Sequence, residues 1–181
     1  MANIIDRTFF SGNLDLPVGS PDVQAEFAPF ISNYEPEYLQ KALGYAFWKL
    51  FIVDGAPSAD ARFQLLLNGD EFTDANGILR KWQGLTTASK ISPIANYIYY
   101  WYTRNAVTYT TSVGEQKGKA ANSSNASPFM KQYKAWNDMV EWTKVMWCFL
   151  KFAKNDDGTA MFHEWVYEQT DFCTFKRIPW I

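Results

Sequence analysis

Phe129-Met-Lys-Gln-Tyr133-Lys-Ala-Trp136-Asn-Asp-Met139-Val140-Glu-Trp142-Thr143-Lys-Val-Met146-Trp147-Cys-Phe149-Leu150-Lys-Phe-Ala153 is the stretch on which the fold turns. Phe129, Tyr133, Trp136, Val140, Thr143, Trp147 and Leu150 recur in alternating steps of four and three, the period of a helix. Met139, Trp142, Met146 and Phe149 widen the stripe. A helix with so broad an apolar face has to be packed on more than one side. Pro128 just ahead suits a first helical position, where its missing N–H costs nothing. Ser127 offers a capping oxygen. The reading is a long helix over 128–153, with a mainly α fold built around it.

Upstream, Ser20-Pro21, Glu35-Pro36 and Ser92-Pro93 repeat that opening. Leu39, Leu43, Phe47 and Leu50 predict an amphipathic helix over 36–51. Tyr97, Tyr99, Tyr100, Trp101, Tyr102 and Tyr109 make the segment 93–111 aromatic nearly all round, so it reads as a central helix. Ser58 is expected to cap a short helix that ends before Gly69. Asn76-Gly77 between two short runs predicts a β-hairpin at about 71–82. The stretch to Pro17 reads as irregular or a short strand.

Two segments do not read as core. Residues 112–126 are rich in Ser, Asn, Gly and Lys and have little to bury, so a long mobile loop is expected. Residues 154–181 show no period, yet they hold Phe162, Trp165, Tyr167, Phe172, Phe175 and Trp180. A disordered tail is poor in aromatics. An extended C-terminal arm, ordered by contact, is expected there: docking onto another subunit is favoured, and folding back on its own domain stays open. The predicted architecture is a domain over 1–153, a bundle of about four helices with one hairpin, followed by the arm at 154–181.

Composition bounds the function. The chain has 181 residues, enough for one domain with an appendage. It carries 17 Lys+Arg against 19 Asp+Glu, a balance that disfavours a general nucleic-acid binder. Two cysteines make no disulfide framework, and the single histidine, His163, makes no His-rich metal site. No cofactor is expected. The start lacks a signal pattern, and no apolar run approaches the roughly 20 residues that span a bilayer. Charge is segregated: residues 1–79 hold 4 basic and 11 acidic side chains, residues 80–153 hold 10 and 3, and residues 154–181 hold 3 and 5. Either the blocks pair internally, or an acidic face of one copy meets a basic face of the next.

The candidates for chemistry are weak. Gly114-Glu-Gln-Lys-Gly118-Lys119-Ala120 lacks the spacing and the Ser or Thr of a phosphate loop. Asn122 and Asn125 open glycosylation triplets in an Asn/Ser-rich loop. His163 and Cys173 are ten residues apart, with no oxyanion donor in view. Cys148 reads as a small core residue. Asp156-Asp157 and Asp70-Glu71 are paired carboxylates at turns. Lys117 and Lys119, with Lys131 and Lys134 beyond, form a basic patch suited to an acidic neighbour.

Three runs carry a resemblance. They are Ile31-Ser-Asn-Tyr34-Glu35-Pro36-Glu37-Tyr38-Leu39-Gln-Lys41-Ala-Leu43-Gly44-Tyr45, Lys81-Trp82-Gln-Gly84-Leu85, and Ser92-Pro93-Ile94-Ala95-Asn96-Tyr97-Ile98-Tyr99-Tyr100. Gly114-Glu115 and Ala135-Trp136-Asn137-Met139-Val140 follow. Over roughly residues 30–150 the chain resembles the head–tail connector (neck adaptor) proteins of tailed bacteriophages and prophages of Bacteroidales, crAss-like phages included. The resemblance implies a small, mainly helical structural protein of the virion neck, made in the host cytoplasm. It implies a homo-oligomeric ring of about twelve copies around the DNA channel, in contact with the portal protein and with the next neck or tail protein. It brings no catalytic residue. On this reading Phe162, Trp165, Tyr167, Phe172, Phe175 and Trp180 anchor the arm, and Lys117 and Lys119 mark a loop that orders on assembly. Two other readings stay open: an aromatic-lined ligand-binding domain with its cavity between 97–102 and 136–147, and a small carboxylate-based hydrolase.

Overall fold

The computed structural model describes residues 3–15, 21–106, 108–111, 114–117, 129–171 and 173–179. The fold is mainly α with a small β part. Among the described residues, five α-helices run α1 Pro21–Leu43, α2 Tyr45–Phe51, α3 Ala61–Asn68, α4 Pro93–Ala106 and α5 Phe129–Phe152. In the same described residues, three two-stranded antiparallel ladders pair β1 Ile52–Val53 with β2 Ala56–Pro57, β3 Asp70–Thr73 with β4 Leu79–Trp82, and β5 Thr108–Thr111 with β6 Gly114–Lys117.

The helix expected over 128–153 is present as α5, and it packs against α4. Ser92 caps α4 as its sequence position suggests, its Oγ accepting from Ile94 N at 3.1 Å. The expected hairpin is also present, with Asp70 opposite Trp82 and Thr73 opposite Leu79. The short helix α3 does end at Gly69, but its cap is Asp60, whose side chain accepts from Arg62 N. Ser58 instead accepts from Asp60 N, one step earlier in the same turn.

Four expectations are corrected. First, Pro36 starts no helix: α1 runs through both Pro29 and Pro36. An interior proline costs about 3 kcal/mol, but Phe27, Ile31, Tyr38, Leu39 and Ala42 form one buried stripe across Pro36, and that packing prevails. Second, the helix does not continue to Phe51. Gly44, at φ 81°, breaks it, and α2 starts afresh. The break shifts the helical phase, so Leu50 is exposed. Third, α4 stops at Ala106, and Thr108–Thr111 pairs with Gly114–Lys117. Tyr and β-branched Thr favour the strand. The expected loop over 112–126 thus contains a strand at 114–117, and its remaining residues lie outside the described ones.

Fourth, the C-terminal segment does not extend away. Asp171 N donates to Lys41 O at 2.8 Å, and Trp147 Nε1 donates to Ala42 O at 2.7 Å. These bonds satisfy carbonyls that the end of α1 leaves without an intrahelical donor. Trp136 Nε1 donates to Lys176 O at 2.7 Å, while the Asn137 carboxamide donates to Ile178 O at 3.1 Å and accepts from Ile178 N at 2.9 Å. Arg62 clasps both carboxylate oxygens of Glu164 at 2.7 and 2.8 Å. Phe162 packs on Phe47 and Phe149, and Phe175 on Tyr38 and Trp147. The aromatic rings are in the tail because the core lacks a wall without them.

Gly84, at φ 94°, shows how tightly the chain closes. A Cβ there would meet Leu67 O and Asn68 C at 2.6 Å. The close approach lets Leu85 N and Thr86 N donate to Leu66 O and Leu67 O, and Trp82 Nε1 adds a second bond to Leu66 O.

Candidate functional site

The six expected anchors divide on the structure. Phe162, Trp165 and Phe175 are buried in this chain's own core. Tyr167 lies at the surface with its ring edge-on to Trp147 at 5.2 Å and near Trp165 at 6.1 Å. Phe172 and Trp180 lie outside the described residues. Lys117 closes β6 opposite Thr108, and Lys119, Asn122 and Asn125 lie outside the described residues. The phosphate-loop-like run begins as strand β6.

The weaker chemical candidates are not brought together. Asp70 and Glu71 stand in β3, facing Trp82 and Lys81 across the ladder. Asp157 accepts from Thr159 N and Oγ1 in a surface turn. His163 is exposed, its Nδ1 3.6 Å from Glu164 Oε2. Both cysteines are exposed, which corrects the core reading of Cys148. The cavity expected between the aromatic faces of α4 and α5 is filled by ring contact: Tyr100 and Trp136 centroids are 4.7 Å apart, Tyr97 and Trp136 6.1 Å. Lys41 Nζ and the Tyr97 hydroxyl converge on Glu37 Oε1 at 2.5 and 2.9 Å. Burial first, and then the Glu37 carboxylate, push the Tyr97 hydroxyl well above its ordinary range. That group stays protonated and works as a strut.

Sequence reasoning missed three features. One is Glu35, buried in α1 and accepting from Ile4 N at 2.8 Å and Ile5 N at 3.0 Å. Burial pushes its carboxyl up to about 7 against the pull of those two donors. The signal was its place four residues from both Ile31 and Leu39, on the apolar stripe, hidden by reading Pro36 as a helix start.

The second is a trench along α5. The N-terminal residues Phe9 and Ser11–Leu14 form one wall, and Lys81, Gln83 and Ser89–Ile91 another. Asp138, Glu141, Trp142 and Val145 form its floor at helical spacing. Its volume is about 630 Å³, within the usual 300–1,000 Å³ of ligand sites. A smaller cavity lined by Lys131, Lys134 and Ala135 continues it, sharing Asn13, Leu14, Asn96 and Asp138. Asp138 pairs with Lys134, and Glu141 with Lys144 and Arg177. Burial pushes Glu141 up, but those two cations outweigh it and hold its carboxyl below the usual range.

The third is apolar surface at opposite ends of α5. Ile78 and Leu79 at the hairpin are 52% and 67% exposed, and Met130 is 60% exposed. Leu79 shares a surface cleft with Phe152 and Lys154 at the far end of the helix from Met130.

The chain matches no protein-family model, no curated protein and no solved structure.

Proposed function

We propose that the protein is a structural virion component, a ring-forming head–tail connector between portal and tail in a phage neck. The observation that carries this reading is the apolar surface at both ends of one rigid helix. The 24 residues of α5 span about 36 Å. Ile78 and Leu79 stand at one end and Met130 at the other. A subunit that stacks between a portal above and a tail protein below needs docking surface at two opposite poles. Single exposed apolar residues are common, so their placement is what supports the reading.

The quoted runs add support of another kind. Tyr38, Leu39, Trp82, Leu85 and Tyr97 sit at the centre of packing, and Gly84 closes the backbone. These phrases therefore specify a fold, as expected where a family shares a scaffold and no catalytic site. We read α1, α4 and α5, with α3 beside them, as the helical bundle of that subunit. The tail contributes to the subunit's own core, so in this reading the poles of α5 hold the neighbours.

The test is light scattering and negative-stain imaging of the full chain, alone and with the portal of the same phage. A ring alone, or one formed only on the portal, is expected. A compact monomer that ignores the portal overturns the reading.

A further inference from the structure

Residues 3–15 cross the protein as a strap with few fastenings. They form two single turns of 3-10 helix, Arg7–Phe9 and Gly12–Leu14, and join no sheet among the described residues. Ile5, Phe9, Phe10 and Leu14 are buried, and the Phe10 ring stands edge-on to Phe27 of α1 at 4.5 Å. Among the described residues, every backbone–backbone bond of the strap is internal. Three hydrogen bonds join it to the rest of the described protein. Asn3 Nδ2 donates to Ser32 Oγ at 3.3 Å on the surface, while Ile4 N and Ile5 N donate one to each oxygen of Glu35, at 2.8 and 3.0 Å. Glu35 thus supplies all of the strap's polar fastening below the surface, among the described residues.

The fastening lacks a counter-charge. Glu35 is 3% exposed, and none of the described charged side chains on the elements that meet α1 compensates it. Lys90, ahead of α4, lies over the Phe9 ring and acts on Asp6. Asp15 of the strap acts on Tyr99 of α4. Arg104 of α4 lies over Trp101, and Lys49 of α2 over Tyr45. Within α1, Lys41 pairs with Glu37, to which the Tyr97 hydroxyl of α4 also donates. Arg7 of the strap forms no ion pair among the described residues. What acts on Glu35 is burial, which favours its neutral acid, and the two strap N–H groups, which favour its carboxylate.

The balance has a direction. Burial outweighs the two donors and pushes the Glu35 carboxyl up to about 7 while the strap is down. With the strap lifted, water reaches the carboxyl and returns it toward its ordinary 4.5. Across that interval the closed form holds the proton and the open form does not. Ionisation therefore favours opening, which grows as pH rises from about 4.5 and levels off above about 7. The four buried side chains hold the strap down at every pH, so the open form is a minority whose size the proton sets. Phe9 and Ser11–Leu14 are also a wall of the trench along α5, so lifting the strap opens the trench.

We propose that residues 3–15 are a releasable strap latched on Glu35, and that loss of the Glu35 proton raises the population of an open form in which the α5 trench lacks that wall. The device lies within a single chain, so it stands or falls apart from the connector reading.

The test is native-state hydrogen exchange by NMR on the full chain from pH 5 to pH 7.5, with rates corrected for intrinsic exchange. The Ile4, Ile5, Phe9 and Leu14 amides are expected to open separately from the interior of α5, with a higher opening constant and a shallower urea dependence than residues 139–146. The strap opening constant is expected to rise about 60-fold across that pH range. Glu35→Gln, which cannot ionise, is expected to hold it within about threefold. If that variant fails to fold, the wild-type slope and a carbon-13 titration of the Glu35 carboxyl carry the test, with a midpoint expected at about 7. Any of four results overturns the proposal: strap and α5 amides sharing one opening constant and one urea slope, a wild-type opening constant that does not change with pH, a pH slope that survives in Glu35→Gln, or a Glu35 midpoint at its ordinary 4.5.

Discussion

Glu35 shows what a single buried carboxylate does to the whole stability curve. Its folded pKa of about 7 lies above its ordinary value of 4.5. Between those values the folded state binds the proton and the unfolded state does not. Stability contributed by this group is therefore full below about pH 4.5, falls as pH rises, and is lost above about 7. The window corresponds to about 3 kcal/mol. The carboxylates held below their usual range, Glu141 and Glu164, act in the opposite sense, but only below pH 4.5. Urea melts from pH 5 to pH 7.5 are expected to show stability declining, with the slope flattened in Glu35→Gln. A wild-type protein with no slope there would refute the assignment. Gly84 gives a second prediction at this scale. Gly84→Ala adds left-handed strain and forces a Cβ into backbone at 2.6 Å, together costing about 3 kcal/mol. A midpoint unchanged by that substitution would mean that the turn relaxes freely.

Among the elements, the C-terminal segment carries the clearest prediction. Phe162, Trp165 and Phe175 each bury a ring, worth about 1.5–3 kcal/mol apiece. Removing them exhausts most of the roughly 5–15 kcal/mol that holds a domain together. A chain ending at Lys154 is expected to lose its cooperative unfolding transition by circular dichroism. A truncated chain that melts sharply near the wild-type temperature would restore the arm to a separate unit. This element also shows where the sequence was legible. The helix α5 and the hairpin β3–β4 were read correctly, because each declares itself within its own residues by period or by turn. The tail donates to the Lys41 carbonyl, and its own Lys176 and Ile178 carbonyls accept from Trp136 and Asn137 of α5, only once the chain has closed. Its aromatics announced burial, but nothing local said against what. The run through Pro36 failed similarly: a local penalty was outweighed by packing on α4 and α5. Glu35 was illegible as a buried polar site because it sits inside an apolar stripe that reads as core.

At the scale of the whole molecule, charge and apolar surface have to be read together. Only Asp74–Arg80, a bond inside one hairpin, joins the acidic first block to the basic second among the described ion pairs. Among the described residues the segregated charge is thus not consumed by ion pairs between the two blocks, which leaves it available to orient neighbours. The docking energy would come from the apolar poles. Leu79→Lys and Met130→Lys place a charge at opposite ends of α5, on side chains that are mostly exposed already. Each is expected to change folding stability by no more than about 0.5 kcal/mol. If the poles hold different neighbours, the two substitutions weaken different contacts. One should reduce recruitment to portal-bearing particles by at least about tenfold. The other should spare that step and block the addition of the tail. Sedimentation of portal complexes reads the first, and negative-stain counts of tailed particles read the second. Equal loss in both assays from either substitution would mean a single shared surface, and normal assembly by both would remove the poles from the connector reading.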